Sequence, residues 1–97
     1  MRYQLSKAAS QDLEDIYLYG FLQFGEAQAD RYVAMIEERI ELLCKNPLLG
    51  RLETAITPAI RRFECESHVI FYDVTATHLL IVRILHGATD YLRHLNE

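Results

Sequence analysis

Apolar residues in the first half of the chain recur every three or four positions, which is the spacing of a helix face. The first such stripe follows Ser6, a residue type that favours the position before a helix, and Gly25 favours its end. It consists of Leu13, Ile16, Tyr17, Gly20, Phe21 and Phe24. A second stripe, closed by Asn46-Pro47, consists of Ala29, Tyr32, Val33, Ile36, Ile40 and Leu43. Residues 7–45 are therefore predicted to form a helical hairpin.

The second half of the chain carries strand patterns instead. In residues 60–66 the side chains alternate: one face is predicted to hold Arg61, Phe63 and Cys65, and the other Ile60, Arg62, Glu64 and Glu66. Residues 68–74 and 78–86 are nearly continuous apolar runs separated by a short turn, which indicates an antiparallel hairpin. Residues 88–95 follow as a short terminal helix.

Together these patterns predict one α+β domain over residues 1–97. Tyr3 and Leu5 alternate with polar neighbours and indicate a short N-terminal strand. The helical hairpin is expected to pack on a small antiparallel sheet. Residues 46–59 contain two prolines and a glycine, so they are expected to form a loop.

The two apolar runs imply that the sheet is covered on both faces. In an antiparallel sheet with one solvent-exposed face, apolar and polar residues should alternate along each strand, and in residues 68–74 and 78–86 they do not. The helical hairpin can cover one face only. The other needs the terminal helix or another protein, or else these are central strands of a self-covered core. The pattern favours an obligate protein partner.

Composition and charge narrow the class of protein. The chain has 97 residues, 51% of them hydrophobic, which fits one folded domain. Its net charge is 10 − 14 = −4, which disfavours tight, nonspecific binding to duplex nucleic acid. Residues 1–6 lack the apolar core of a signal peptide, and the longest apolar run is only residues 79–82. We expect a cytoplasmic protein with no membrane segment.

The sequence offers no motif for a metal or a cofactor. His78 and His86 would share a strand face, but eight residues of strand separate them by about 26 Å. The two cysteines, Cys44 and Cys65, have no CxxC partner and are expected to be reduced, partly buried thiols. No cofactor, metal site or catalytic nucleophile is expected.

The remaining candidate chemistry is a polar patch made of Arg61, Arg62, Arg83, His86, Asp90 and Tyr91. Arg83 interrupts an apolar run, which costs stability unless the guanidinium is paired or exposed at a site. Two interpretations stay open. Arg83 and His86 face a partner or a nucleic-acid backbone, with His86 able to act as a general acid or base. Alternatively, Arg83 pairs with Asp73 or Asp90, and His86 ends the strand.

The order of the elements and the residues at their boundaries resemble those of the RelE/ParE superfamily of small bacterial toxins, and of its ParE branch most closely. The segments that carry this resemblance are Asp12-Leu13-Glu14-Asp15-Ile16, Asn46-Pro47, Gly50-Arg51, Ile60-Arg61-Arg62-Phe63, His68-Val69-Ile70-Phe71-Tyr72, and Ile81-Val82-Arg83-Ile84-Leu85-His86 before Asp90. Each segment is weak alone, but the ordered set covers nearly the whole chain and is fairly specific.

The resemblance implies a toxin of a type II toxin–antitoxin pair that inhibits growth. ParE-like toxins usually trap DNA gyrase by protein–protein interaction and are neutralised by a ParD-like antitoxin whose C-terminal segment folds onto them. A toxin–antitoxin hetero-oligomer is expected, without specific binding to nucleic acid. Residues expected to bind partners are Arg61, Arg62, His68, Tyr72, Arg83, His86, Asp90 and Tyr91.

Two alternatives accompany this interpretation. Toxins of the RelE branch cleave mRNA in the ribosome. Arg83, His86 and Tyr91 resemble a reduced set of the catalytic residues of that branch. Such nucleases carry an Arg-rich run after the last strand, where this chain has Gly87-Ala88-Thr89. That difference and the acidic net charge argue against a nuclease. The other alternative is an inactive toxin fold that only binds an antitoxin.

Overall fold

The computed structural model describes residues 1–95 and has three helices and five strands over that range. The elements in chain order are β1 Arg2–Leu5, α1 Lys7–Phe24, α2 Glu26–Lys45, β2 Arg51–Glu53, β3 Ile60–Cys65, β4 His68–Val74, β5 His78–His86 and α3 Tyr91–Leu95. The predicted α+β class, the helical hairpin and the short C-terminal helix are confirmed. The two apolar runs form strands over the predicted residues.

The helical hairpin depends on local signals at its ends. The Ser6 hydroxyl accepts a hydrogen bond from the Ala9 amide at 2.9 Å and caps α1. Gly25 alone separates the helices, with φ at +91°, a backbone conformation that L side chains rarely adopt. The turn between the helices is therefore a single glycine.

All five strands form one sheet in the order β1-β5-β4-β3-β2. β1 pairs in parallel with β5, and the other neighbours are antiparallel. β2 lies inside the segment expected to be a loop, and it exists because its three residues pair with β3. A bulge between Phe71 and Tyr72 shifts the register of β4 against β5.

Each face of the sheet has its own cover. The helical hairpin packs on one face, where Ile36, Ile40 and Leu43 of α2 meet Tyr72 and Ile81. On the opposite face, the apolar cluster comprises Ile56, Ile60, Val69, Phe71 and Leu85, with Tyr91 and Leu95 packed against it. The terminal helix and the loop before β3 therefore cover this face. Of the covers that the sequence left open, the terminal helix is the one observed, so the apolar runs do not by themselves require a partner protein on this face.

Gly50 marks the closest approach between the loop after α2 and the sheet. The Tyr72 hydroxyl accepts a hydrogen bond from the Gly50 amide at 2.8 Å and donates one to the Pro47 carbonyl at 2.8 Å. A Cβ at Gly50 would lie 2.5 Å from that hydroxyl oxygen. The buried tyrosine thus fixes the loop, and only glycine fits beside it.

Candidate protein-docking site

A buried ion pair joins α1 to β5. Asp12 accepts hydrogen bonds from Nε and Nη2 of Arg83 at 2.7 and 2.8 Å, and from the Ile84 amide at 2.9 Å. Neither acid suggested by the sequence, Asp73 or Asp90, is this partner. The bidentate geometry fixes the guanidinium against the helix, so it is engaged in holding the fold together.

A second arginine is held on the opposite face of the sheet. Arg62 donates to the Tyr91 hydroxyl at 2.9 Å, and its guanidinium lies 4.9 Å from the Tyr91 ring centre and 5.8 Å from that of Phe71. Glu53 of β2 lies 3.5 Å from the same guanidinium and accepts from Tyr91 at 3.2 Å. The Ala55 amide, then Tyr91 and Arg62, lower the pKa of Glu53. This cluster ties α3 and β2 to the sheet.

Two histidines and a tyrosine meet beside the helical hairpin. His68 and His86 are cross-strand neighbours with ring centres 5.4 Å apart, edge to face. The Tyr32 hydroxyl of α2 lies 2.6 Å from Nδ1 of His68, and Nδ1 of His86 accepts a hydrogen bond from the Ala88 amide. Burial, and then His86, lower the pKa of His68, while Asp12 acts weakly in the opposite direction.

These three aromatic rings border a cavity of about 580 Å³ between the helical hairpin and the end of β5. The cavity lining comprises Asp15, Ile16, Tyr19, Gly20, Phe24, Gln28, Ala29, Tyr32, Ser67, His68 and His86. Its lining is mainly apolar and aromatic and includes a few polar groups. A concave site of this size and character can hold a large side chain or a small molecule.

The α1 surface next to the cavity is also apolar. Its exposed large side chains are Leu18, Tyr19, Phe21, Leu22 and Phe24. The predicted stripe of α1 is therefore buried only in part, because Phe21 and Phe24 lie outside the core. Contiguous exposed apolar surface of this kind marks a site for another molecule.

The structure divides the sequence-predicted patch between different places. His86 lies on the side of the helical hairpin and the Arg83 side chain binds Asp12 of α1, whereas Arg62 and Tyr91 lie on the side of α3. Arg61 donates to the Gly50 carbonyl at 2.8 Å, and Asp90 is exposed just before α3.

The other two predicted partner-binding residues also lie in different environments. Tyr72 is fully buried and inaccessible to a partner. His68 lies at the cavity, half-buried.

Sequence reasoning missed three residues of this region. Asp12 lies between Ala9 and Ile16 on the buried side of α1, and an acid at that spacing is a signal that it has a buried basic partner. Leu18 and Leu22 lie outside the predicted stripe, four residues apart. Two leucines on the outer face of a helix could have indicated a second apolar surface.

Residues 1–95 contain neither a metal-binding cluster nor a membrane-spanning helix. No group of three or more His, Cys, Asp or Glu side chains in that range is placed to hold a metal ion. None of the helices in the same range combines the length and apolarity that crossing a membrane requires.

The family model described as "ParE toxin of type II toxin-antitoxin system, parDE" matches residues 3–91. The chain resembles the chromosomal ParDE TA system from P. aeruginosa with a TM-score of 0.76 and 24% identity, covering 89% of this chain and 95% of that one. That likeness shows the fold.

Curated relatives agree with the family model. The chain is 36% identical to Toxin ParE1 of Mycobacterium tuberculosis, over 97% of each protein. It is 33% identical to Toxin ParE1 of Caulobacter vibrioides, over 96% of each, and 33% identical to Toxin ParE of Escherichia coli, over 98% of this chain and 93% of that protein. The chain belongs to the ParE toxin family of type II toxin–antitoxin systems, which confirms the ParE-branch resemblance.

Proposed function

We propose that this toxin inhibits DNA gyrase in the cytoplasm by protein–protein interaction, and that a ParD-like antitoxin neutralises it in a hetero-oligomeric complex. Membership of the ParE family supports this proposal. The observation that carries it is the exposed apolar surface at the end of α1, where Leu18 and Leu22 face solvent. Surface of this kind suits a protein that acts by binding other proteins.

The arrangement of the arginines supports a binding protein over a nuclease. A ribonuclease would need Arg83, His86 and Tyr91 around one scissile phosphate. Here Tyr91 packs on the face of the sheet opposite His86, and Arg83 forms a bidentate pair with Asp12. General acid–base catalysis requires its groups within hydrogen-bond reach of the same substrate atoms.

The decisive experiment measures DNA and protein synthesis by pulse labelling after controlled expression without antitoxin. We expect DNA synthesis to stop first while translation continues. In parallel, the purified chain should inhibit supercoiling by purified gyrase, and the antitoxin should relieve that inhibition. If protein synthesis stops first, gyrase inhibition is contradicted.

A pair of histidine variants tests the alternative hypothesis that the chain is a nuclease. His86→Ala and His94→Ala each remove an exposed imidazole, but only His86 belongs to the candidate nuclease set. If the chain cleaves mRNA with His86 as general base, His86→Ala should lower the rate by about 100-fold or more, and His94→Ala should not. Cleavage with that pattern would replace the proposed function by ribosome-dependent RNA cleavage.

A further inference from the structure

β2 forms one edge of the five-stranded sheet. It comes last in the strand order β1-β5-β4-β3-β2, and within residues 1–95 its one strand neighbour is β3. An edge strand presents backbone N–H and C=O groups along its outer side, and a strand of another chain can pair with them. The side chains of β2 therefore decide whether this edge repels such a strand or accepts it.

The three side chains of β2 alternate between the two faces of the sheet. Glu53 accepts a hydrogen bond from Tyr91 of α3, so Glu53 lies on the face that α3 covers. Arg51, two residues earlier in the strand, lies on the same face. Leu52 lies between them and faces the side of the helical hairpin. The edge thus carries its two charges on one face and an apolar residue on the other.

Exposed leucines surround Leu52 on the hairpin side of this edge. Leu48 and Leu49 lie in the loop after α2, which two hydrogen bonds of the buried Tyr72 hydroxyl hold at that face. At least half of each of these three leucine side chains is exposed. Leu48 and Leu49 together with β2 form what is called here the β2 edge surface. Apolar surface gathered at one edge of a sheet favours contact with another chain.

The order of charges along β2 is complementary to itself. If two β2 strands pair antiparallel about a two-fold axis at Leu52, each Arg51 lies opposite the Glu53 of the other copy. The two leucines then lie opposite each other on the hairpin side. Charge on an edge strand normally prevents pairing, but here each cation meets an anion. The other edge strand, β1, has Arg2 as its one charge, and the same pairing would place it opposite Leu5.

Both charged side chains are available to a second copy. Arg51 lies 3.2 Å from Glu64, and both side chains of this pair are exposed, so the pair contributes little to stability and can be exchanged. Glu53 has its pKa lowered, first by the Ala55 amide, and is a carboxylate at neutral pH. A second copy can therefore bring a guanidinium to this carboxylate at little cost.

We propose that two copies of this chain associate through the β2 edge surface, which joins their five-stranded sheets into one continuous sheet. The contact is shorter than a standard protein interface, so we expect a weak dimer with a Kd on the order of 10–100 µM. The cavity is lined by residues up to Tyr32 and from Ser67 onward, so it stays open on both copies. The proposal depends on neither the gyrase target nor the antitoxin.

Sedimentation of the purified chain over roughly 5–500 µM, which brackets the expected Kd, measures the association. Leu52→Lys places two ammonium groups beside the two-fold axis and should raise the Kd at least about 30-fold. Leu18→Lys is the matched control, because Leu18 is 56% exposed and Leu52 51%, and it adds the same charge on α1. The control should change the Kd by less than about threefold. A chain that stays monomeric throughout, or equal effects of the two lysines, would overturn the proposal.

Cysteine substitution tests the register of the pairing. In the proposed dimer the two Leu52 Cα atoms lie about 4.5–5.5 Å apart, within the range that a disulfide spans. With oxidised glutathione, two Leu52→Cys chains should form a covalent dimer, the two thiols giving one disulfide while one oxidised glutathione is reduced to two thiols. Cys44 and Cys65 are buried and do not compete. Leu18→Cys should stay monomeric, and equal crosslinking of both variants, or of neither, would refute this register.

Arg51 tests the charge pairing. Arg51→Glu places a carboxylate opposite each Glu53 and should raise the Kd about 10-fold or more, whereas Arg51→Lys should change it by less than about threefold. Circular dichroism of each variant confirms that folded proteins are compared. Equal Kd values for the two Arg51 variants would contradict the charge pairing. If Leu52→Lys associates normally but no longer inhibits gyrase, the β2 edge surface faces the target, and the dimer is overturned.

Discussion

Replacing Asp12 by alanine removes the carboxylate that joins α1 to β5. That carboxylate accepts two hydrogen bonds from the Arg83 side chain and one from the Ile84 amide. Asp12 is 9% exposed, so water cannot fully replace it at these donors. The substitution therefore removes the anion from a buried pair and leaves the Ile84 amide unsatisfied.

The expected loss follows from these contacts. Removing one partner of a buried ion pair typically costs about 3–5 kcal/mol, and an orphaned buried amide costs about 1–3 kcal/mol. The Arg83 side chain keeps 22% exposure and can partly rehydrate, so the lower end of that range applies. We expect a loss of about 3 kcal/mol in the free energy of unfolding. For a domain of this size, that lowers Tm by roughly 10–25 °C.

The assay is urea unfolding followed by far-ultraviolet circular dichroism. Asp15→Ala is the matched control, because Asp15 lies three residues further along α1 and its carboxylate hydrogen-bonds only the exposed side chain of Gln11. That variant should lose less than about 0.5 kcal/mol. If Asp12→Ala lowers the free energy of unfolding no more than Asp15→Ala does, the ion pair between Asp12 and Arg83 does not hold α1 to the sheet. That result would refute the reasoning.

Three further changes test the interior. Tyr72→Phe should lower the free energy of unfolding by about 1–3 kcal/mol, because the Gly50 amide loses its acceptor. Gly50→Ala should lower the free energy of unfolding by about 1–3 kcal/mol, because the added Cβ would clash with Tyr72. Gly87→Ala should lower it less, because a Cβ there would lie 3.5 Å from its nearest neighbour, the Ser67 carbonyl oxygen. His68 has a pKa below its value in the unfolded chain, lowered by burial and by His86, so the folded state binds this proton more weakly. Stability should fall as pH is lowered through about 6.5 toward the folded pKa, and His68→Gln should reduce that fall.

Urea denaturation measures all three effects, the last as a pH series. A Gly50→Ala variant as stable as Gly87→Ala would contradict the tight approach to Tyr72. Unchanged stability of Tyr72→Phe would mean that the hydroxyl does not fix the loop. A pH profile that His68→Gln leaves unaltered would show that this histidine does not titrate differently in the folded state.

The strands of this fold follow from the sequence because their patterns are local. Residues 68–74 and 78–86 are apolar runs bounded by a turn, and both form strands over those residues. Arg51–Glu53 could not be predicted, since a strand of three residues has no periodicity and forms only through its pairing with β3. Local sequence patterns therefore predict the longer strands, whereas a strand as short as Arg51–Glu53 depends on its pairing with a neighbouring strand.

The site was less predictable because it depends on where elements end in space. The periodicity of α1 includes Phe21 and Phe24, but the sheet stops before they can be buried. Arg83 pairs with Asp12, which lies 71 residues away on α1, and no local sequence pattern connects the two residues. The cluster of His68 with Tyr32 likewise joins elements 36 residues apart.

The pairing of β1 with β5 also constrains the order in which the chain folds. The helical hairpin needs only contacts between neighbouring segments and can form early. Ser6, by contrast, bonds Val82 across a separation of 76 residues, and closing a loop of that length costs about 4 kcal/mol of chain entropy. β1 has its one strand neighbour in β5, so the N-terminal edge of the sheet assembles late. During synthesis, this sheet cannot be completed until the growing chain has passed His86.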